Sequence, residues 1–529
     1  MNIAPVFSIL GVLLTILSFT MLIPMFIDII YRSQNWFGFA SASLISCFIG
    51  ISLWLTNRNK QELNLGLKEA FLLTNFAWIL SGIFGALPFV FSDLGLGFTD
   101  AIFESISGIT TTGSTILQTI ELASPGIILW RALLQWLGGI GIIVMALAIL
   151  PVLSVGGMQL FKTETYEASD NAIPRARQLA GGIFAVYTTL TLMWAFMLWL
   201  AGMTSFDALI HSMTTLATGG YSSKTSSIGA FDSIAIEVII MSGMIAGSLP
   251  FAHYLAITRG GWNALINDPQ VRWFLVLTIL VILLITIDLG RAGNTWLHSI
   301  RLASFNTISV ITGTGYGTAN FALWGGFSTT MLLIMMFMGG CAGSTTCGIK
   351  MFRLQVLIST IKVQIARLLR PHGVVLAYYN NKPVPESVMD AVMGFFYLYI
   401  LCFVFLSLFL AFTGLDFTTA FSGAATAISN VGPGLGDIIG PNGSFNPLPD
   451  MAKWAMCFGM LLGRLELFTI LVMLNPLFGV IKFIYSIEVS FHLDFQFLTL
   501  IFYQNLQAQI KSFLEQQFQN QEDCLILRW

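Results

Sequence analysis

Apolar residues run along this chain in blocks far longer than a strand or one face of a water-soluble helix requires. A membrane-spanning helix needs about 20 mostly apolar residues. Ten stretches meet that need: 5–30, 37–56, 68–91, 126–153, 180–202, 233–256, 271–289, 327–349, 388–413 and 453–480. Between the members of four successive pairs lies a shorter piece, at 99–112, 205–218, 301–314 and 418–431. Each piece is helix-like, half-apolar and too short to span, and ends in a polar stretch containing glycine. Such pieces read as re-entrant segments. The pattern predicts an all-α polytopic membrane protein of four span–half-helix–loop–span repeats, preceded by two extra spans. The extra pair takes 1–62, and the repeats take 63–160, 161–262, 263–372 and 373–484. Residues 485–529 form a C-terminal extension with no assigned role; they alternate apolar with Gln/Glu-rich stretches.

Composition makes lipid the solvent. The 529 residues are 56% hydrophobic and only 9% charged, whereas a soluble domain carries about 25% charged residues. Mean hydropathy is +0.81. A net charge of -2 gives no sign of a nucleic-acid partner. The six cysteines lack CxxC spacing and read as apolar filler, with Cys341 and Cys347 the one pair close in sequence, as filler or gate packing. The N-terminal run has no basic residue ahead of it and reads as a retained first span.

Lysine and arginine orient the spans. A cytoplasmic N-terminus, with cytoplasmic loops near 57–67, 156–178, 257–270 and 350–387, gathers Arg58, Lys60, Lys162, Arg175, Arg259, Lys350, Arg353 and Lys382 on that side. The opposite side keeps few, such as Arg32, Lys224 and Arg291. All four short segments then enter from outside.

Aligned without gaps on one glycine, these segments end alike. The first gives Thr110, Thr111, Thr112, Gly113; the second gives Leu216, Ala217, Thr218, Gly219. The third gives Thr312, Gly313, Thr314, Gly315; the fourth gives Ser429, Asn430, Val431, Gly432. The glycines recur at intervals of 106, 96 and 117 residues. Irregular backbone survives at membrane depth only when buried in protein or lining an aqueous cavity. Four such loops around one axis line a central pore. Glycine permits the dihedrals that turn carbonyls to that axis, and carbonyl rings replace the hydration shell of potassium. The half-helices point negative dipole ends inward, which favours a cation. The Thr112, Thr218 and Thr314 hydroxyls are candidates for ligation or bracing. No ring of carboxylates of the kind a divalent site prefers occurs in these loops.

The stretches TTTGST from Thr110, LATGGYS from Leu216, ITGTGYG from Ile311, ISNVGPGLGD from Ile428, GGCAGST from Gly339 and LLGRLELFTIL from Leu461 occur in one order. In that order they resemble the TrkH family, the membrane subunits of Trk-type potassium uptake systems in the Trk/Ktr/HKT superfamily. The resemblance covers about residues 1–480, and the two extra spans set it apart from KtrB. It implies gated potassium uptake across the bacterial cytoplasmic (inner) membrane and a homodimer with one pore per subunit. It also implies a cytosolic nucleotide-binding regulatory subunit of the TrkA type. No Walker A motif is present, so the chain itself binds no cofactor beyond K+. Any ATP or NAD dependence comes through that partner. Serine at the first filter glycine accompanies sodium passage in the superfamily, and glycine at all four positions implies potassium. Sodium- or proton-coupled symport, or a less selective K+/Na+ transporter, stays open as the alternative.

Two gate candidates follow. Arg464 lies about 18 Å into the last span, at ~1.5 Å per residue, where an ionisable residue is costly and functional by default. It reads as a pore-facing charge below the filter, the role of the arginine in the family motif; the alternative is an ion pair, with Glu466 as candidate. The run Gly339, Gly340, Cys341, Ala342, Gly343, Ser344, Thr345, Thr346, Cys347, Gly348 interrupts the second span of repeat three. It resembles the family's movable loop, with Thr346 and Cys347 where further glycines are common. The alternative is small residues for close packing. Lys350 is expected to end this span at the cytoplasmic surface. His211 and His253 read as satisfied polar residues. Glu104, Asp207 and Asp416 read as acids near half-helix starts, favouring the dipole or gathering cations at the mouth. No HExxH or GxSxG motif occurs, so the chain is not read as an enzyme.

Overall fold

The computed structural model describes residues 3–58, 66–146, 157, 172–258, 260–261, 263–380 and 382–474. The chain forms two compact units, Met1–Ile470 and Leu471–Trp529, and all four filter loops lie in the first. The extension at 485–529 lies outside the described residues, as do the basic positions Lys60, Lys162 and Arg259.

Seven of the ten expected spans are long apolar helices: Ala4–Ile30, Trp36–Asn57, Leu67–Val90, Pro125–Val144, Leu179–Leu200, Pro269–Arg291 and Glu386–Phe412. Pro125–Val144 has 72% of its central window buried, against 22–39% for the other six. It is therefore an interior helix, walled by its neighbours, while the others face lipid along one side.

The remaining three expected spans, 233–256, 327–349 and 453–480, are broken. Ile234–Ser248 and Phe251–Ile257 meet at 97°. The cause is Pro250, which has no N–H and drives Leu249 into extended backbone (φ -90°, ψ 158°). Gly326–Met336 stops at the glycine-rich run, and helix resumes only at Met351–Leu369. Asp450–Arg464 stops where Glu466 and Leu467 take positive φ, and Phe468–Leu474 follows. Each break falls in the second span of its repeat.

The four half-helices are Phe98–Ile109, Ser205–Leu216, Trp296–Ile311 and Phe417–Ser429. The expected segments run on two or three residues further, into the loops that follow. Thr204 and Asp416 cap the second and fourth, accepting from the amides of Asp207 and Thr419. Those Thr419 hydrogen bonds hold the Asp416 carboxyl below its ordinary range.

Ion pairs join the half-helices to other spans. Lys453 meets Asp100 at 2.6 Å, Arg131 meets Glu104 at 2.7 Å, and Arg301 meets Glu237 at 2.8 Å. The extra N-terminal pair is fastened by Asp28, which accepts from the Gly126 amide at 2.7 Å and the Ser124 hydroxyl at 3.1 Å. Its two helices touch through Gly11 and Gly50. A Cβ on Gly11 would lie 2.6 Å from the Gly50 carbonyl oxygen, the close approach that small residues allow between membrane helices.

Candidate ion filter and gate

Each half-helix, three of them ending on an aliphatic residue and the fourth on Ser429, passes into a loop with two left-handed positions. They are Thr111 and Gly113, Thr218 and Gly220, Gly313 and Gly315, and Asn430 and Gly432. The residues before the first of these, Thr110, Ala217 and Thr312, are right-handed. Left-handed residues at every second position let successive carbonyls turn to one side, which is what a candidate site for a dehydrated cation requires.

This pattern shifts the second loop by one residue. Gly220, not Gly219, stands with Gly113, Gly315 and Gly432, and Gly219 stands with Thr112, Thr314 and Val431. Backbone bonds agree: Thr112, Gly219, Thr314 and Val431 donate to Ser107, Thr214, Ser309 and Thr426. The second filter stretch is thus Ala217, Thr218, Gly219 and Gly220, and Leu216 is the last helical residue, like Ile109 and Ile311. Every filter position that must be left-handed and close to its neighbour still carries glycine.

Contacts between loops close into a ring. A Cβ on Gly113 would lie 2.1 Å from the Gly219 oxygen, and one on Gly220 would lie 1.8 Å from the Thr314 oxygen. A Cβ on Gly315 would meet the Val431 oxygen at 2.1 Å, and one on Gly432 the Thr112 oxygen at 2.8 Å. First touches second, second third, third fourth, and fourth first. Only glycine permits both this approach and these dihedrals.

Side chains brace the ring from behind. Ser107 and Ser309 donate to the carbonyls of Ser114 and Tyr316 at 2.6 and 2.7 Å. Thr110 and Thr112 share a hydrogen bond, as do Thr312 and Thr314, both at 2.7 Å. Asn430 Nδ2 donates to the Thr112 hydroxyl at 2.8 Å and the Met460 carbonyl at 2.9 Å. Gln135 clamps the second loop, donating to the Gly219 oxygen at 2.6 Å and accepting from the Tyr221 amide at 3.1 Å. The threonine hydroxyls are therefore spent on bracing, Thr218 included, which donates to the Ala217 carbonyl at 2.8 Å.

Glu104 is a further brace. It sits in the body of its half-helix, fully buried, and not near the start as expected. It accepts from Arg131 Nε, the Thr115 hydroxyl and the Ile116 amide. Arg131 in turn lies 4.0 Å over the Tyr221 ring and donates to the Ser222 carbonyl at 3.1 Å. Its contact with Arg131, 27 positions away, has no local sequence signal. Asp207 is near its helix start as expected and accepts from Ser223. His211 bonds the Asp207 carbonyl at 2.8 Å and Ser222 at 3.0 Å, and His253 meets Asp268 at 2.6 Å.

Against the second loop of the ring lies the run from Gly339 to Gly348. It is pinned to the bend in the second repeat: the Cys341 and Thr345 amides donate to Ser248 and Gly247, and the Gly343 carbonyl accepts from Phe251. Thr345 touches the filter loop itself, donating to the Leu216 carbonyl and accepting from Thr218, both at 3.1 Å. Ser344 donates to the Cys341 carbonyl at 2.6 Å. The Gly339 amide donates to Ile349, Gly340 bonds Thr346 and Met351, and Gly348 is left-handed. Arg464 completes the cluster. Nη1 donates to the Thr345 carbonyl at 3.0 Å and the Cys347 sulfur at 2.7 Å, and Nη2 donates to the Gly138 carbonyl at 3.0 Å.

The alternative reading of Arg464 as an ion pair with Glu466 fails here, and the surface readings of Lys350 and Arg353 change. Arg464 does not pair with Glu466, which binds Arg353 instead. Lys350 does not end a span at the surface; it is buried and donates to the Thr346 carbonyl and hydroxyl. Arg353, counted above as a cytoplasmic charge, is fully buried in its pair. Cys347, read as filler or gate packing, packs in the glycine-rich run as an acceptor for the guanidinium. The space left among Ile142, Gly343, Thr346, Lys350 and Arg464 is about 10 Å³, room for about one water at most.

Four short half-helices whose loops close into a ring, with a glycine-rich run against the second loop, define a multi-pass membrane protein of the four-repeat cation-transporter class. Residues 35–477 match the TrkH family, described as cation transport protein, and the chain belongs to that family. It is 42% identical to the Trk system potassium uptake protein TrkI of Halomonas elongata, covering 90% of this chain and 96% of that one. It is 38% identical to the Trk system potassium uptake protein TrkH of Escherichia coli K12, covering 90% and 99%. The crystal structure of the potassium transporter TrkH from Vibrio parahaemolyticus superposes with a TM-score of 0.82 at 36% identity, covering 90% of this chain and all of that one.

Proposed function

We propose that this chain takes up potassium across the bacterial cytoplasmic (inner) membrane, with its N-terminus in the cytoplasm, and that it is not an enzyme. The observation that carries the reading is the ring of Gly113, Gly220, Gly315 and Gly432, each against the next loop's carbonyl. A ring of oxygens fixed by backbone contacts binds a monovalent cation without a carboxylate. Potassium, rather than sodium, follows from glycine at all four positions and from the names of the relatives above.

The glycine-rich run and Arg464 act as the gate, in its closed form. A guanidinium fixed by that run repels a cation leaving the filter, and the space around it admits no hydrated ion. Opening requires the Gly339–Gly348 run to release Arg464. A homodimer and a TrkA-type cytosolic subunit, through which ATP or NAD acts, complete the assembly.

Rubidium uptake into proteoliposomes tests this, with potassium, sodium and lithium as competitors. Strong competition by potassium and little by sodium is expected. Equal competition by sodium would overturn the selectivity, and no flux with the regulatory subunit present would overturn the transport reading.

A further inference from the structure

The extra N-terminal helices leave a slot against the flank of the first repeat, with a volume of about 420 Å³. Three helices wall it: Ala4–Thr20, Leu67–Gly85 and Pro125–Val144. The wall runs from Leu73 to Ser81 on the second and from Leu137 to Met145 on the third. Eight residues of helix at ~1.5 Å each make the slot about 12 Å long. Among the described lining residues the hydroxyls are Thr74 and Ser81, and Thr74 already donates to its own helix at Ala70. The wall is otherwise hydrocarbon and indole, with nothing to recognise a charged or polar ligand. At its mouth Leu13 and Ile16 are 40% and 52% exposed. On a spanning helix such positions face lipid, so the slot is continuous with the lipid-facing surface.

The floor of the slot is the holder of Arg464. Gly138, whose carbonyl accepts from Arg464 Nη2, lines it, and so does Trp78, whose ring lies 5.4 Å from the guanidinium carbon. Ile109 lines it too, the last helical residue before Thr110.

We propose that this slot binds one acyl chain of a membrane lipid, and that its occupancy sets how firmly Arg464 is held. An unfilled apolar gap forfeits the dispersion contacts of its lining, and dry apolar cavities take apolar guests. The elongated shape fits a linear chain, and the bilayer supplies such chains at the mouth. The chain packs on Trp78 and on the backbone at Gly138. Occupancy thus stiffens two of the groups that fix the guanidinium, without any bond to Arg464 itself.

The test uses the full chain in phosphatidylethanolamine–phosphatidylglycerol vesicles containing a phosphatidylcholine with a diazirine midway along one acyl chain. After irradiation, labelled peptides are mapped by mass spectrometry. Label is expected on Leu73–Ser81 and Leu137–Met145. It should fall in Ala77→Phe and Gly141→Leu, which fill the slot, while label on the lipid-facing helix Glu386–Phe412 stays constant. A Cβ on Gly141 meets the Trp78 ring at 3.5 Å, an ordinary contact, so the first carbon of the added side chain fits without a backbone shift and the rest extends into the slot. Label absent from both wall segments, or unchanged in both variants, would overturn the site, whatever else fills it. A second arm, which rests on the transport reading above, compares rubidium flux in vesicles of differing acyl unsaturation. Wild-type flux should vary about fivefold, the low end of coupling between two sites, and Gly141→Leu flux should not. Equal lipid dependence in both would overturn the coupling to Arg464 and leave the labelling result standing.

Discussion

Arg464 donates to the carbonyl oxygens of Thr345 and Gly138, both at 3.0 Å, through its two terminal nitrogens. One guanidinium thus joins the last repeat to the loop of the third and the second span of the first. Hydrogen bonds to a charged group contribute about 1.5–3 kcal/mol each. Arg464→Ala removes them from the closed form alone, so basal rubidium uptake should rise about tenfold or more. Arg464→Lys should fall between, since one compact ammonium cannot serve both carbonyls as a planar fork does. Uptake unchanged at matched protein amounts would remove Arg464 from the gate.

The register of the second loop separates two neighbouring glycines. Gly220 is left-handed, and a Cβ on it would lie 1.8 Å from a backbone atom, the Thr314 oxygen. Gly220→Ala should abolish uptake, because it adds a left-handed penalty of about 1–2 kcal/mol to an unavoidable clash. At Gly219 the obstacle is the Gln135 side chain, at 2.4 Å. Gly219→Ala should reduce uptake only in part, and Gln135→Ala should relieve the reduction. If Gln135→Ala instead rescued Gly220→Ala, the register would be wrong.

Glu104 and Arg131 are 0% and 1% exposed. Removing one member of a buried pair strands the other at a cost of about 3–5 kcal/mol. Glu104→Ala should therefore lower the Tm in detergent and loosen selectivity, because the same carboxylate holds Thr115 and Ile116 behind the first loop. A Tm within error of wild type would show that the pair is replaceable by its neighbours.

Arg353 and Glu466 offer a contrasting case on the gate side. Glu466→Leu alone should lower the Tm, again by the equivalent of about 3–5 kcal/mol. Adding Arg353→Met should restore most of it, since a buried pair gains little over apolar residues of similar size. Additive losses in the double variant would argue that the two side chains stabilise the fold through different partners.

Hydropathy carried the spans well because lipid imposes one rule on every residue of a spanning helix. Leu67–Val90 and Glu386–Phe412 were legible for that reason. The breaks were less so. The glycine run at 339–348 announces itself, but the 97° bend rests on Pro250 alone, inside an apolar stretch that otherwise scores as one span. The second filter loop was misaligned because Thr218 and Gly219 repeat the Thr-Gly spelling of the other loops. The pairing of Gly220 and Tyr221 with Gly315 and Tyr316 was the better guide. Lys350 and Arg353 were read as surface charges because charge near a span end usually is. Their burial depends on Thr346, four residues off, and on Glu466, which lies 113 positions away; only the fold reveals that second kind of partner.

The ring contains one loop from each repeat, yet the residues whose oxygens lie against the neighbouring glycines are Thr112, Gly219, Thr314 and Val431. The backbone is fourfold in plan while the sequences of its quadrants differ within one chain. A channel assembled from identical subunits must alter all its ligands together. A single chain can retune one quarter of its ion site while three quarters stay fixed, so its preference among cations can drift in small steps, each one survivable.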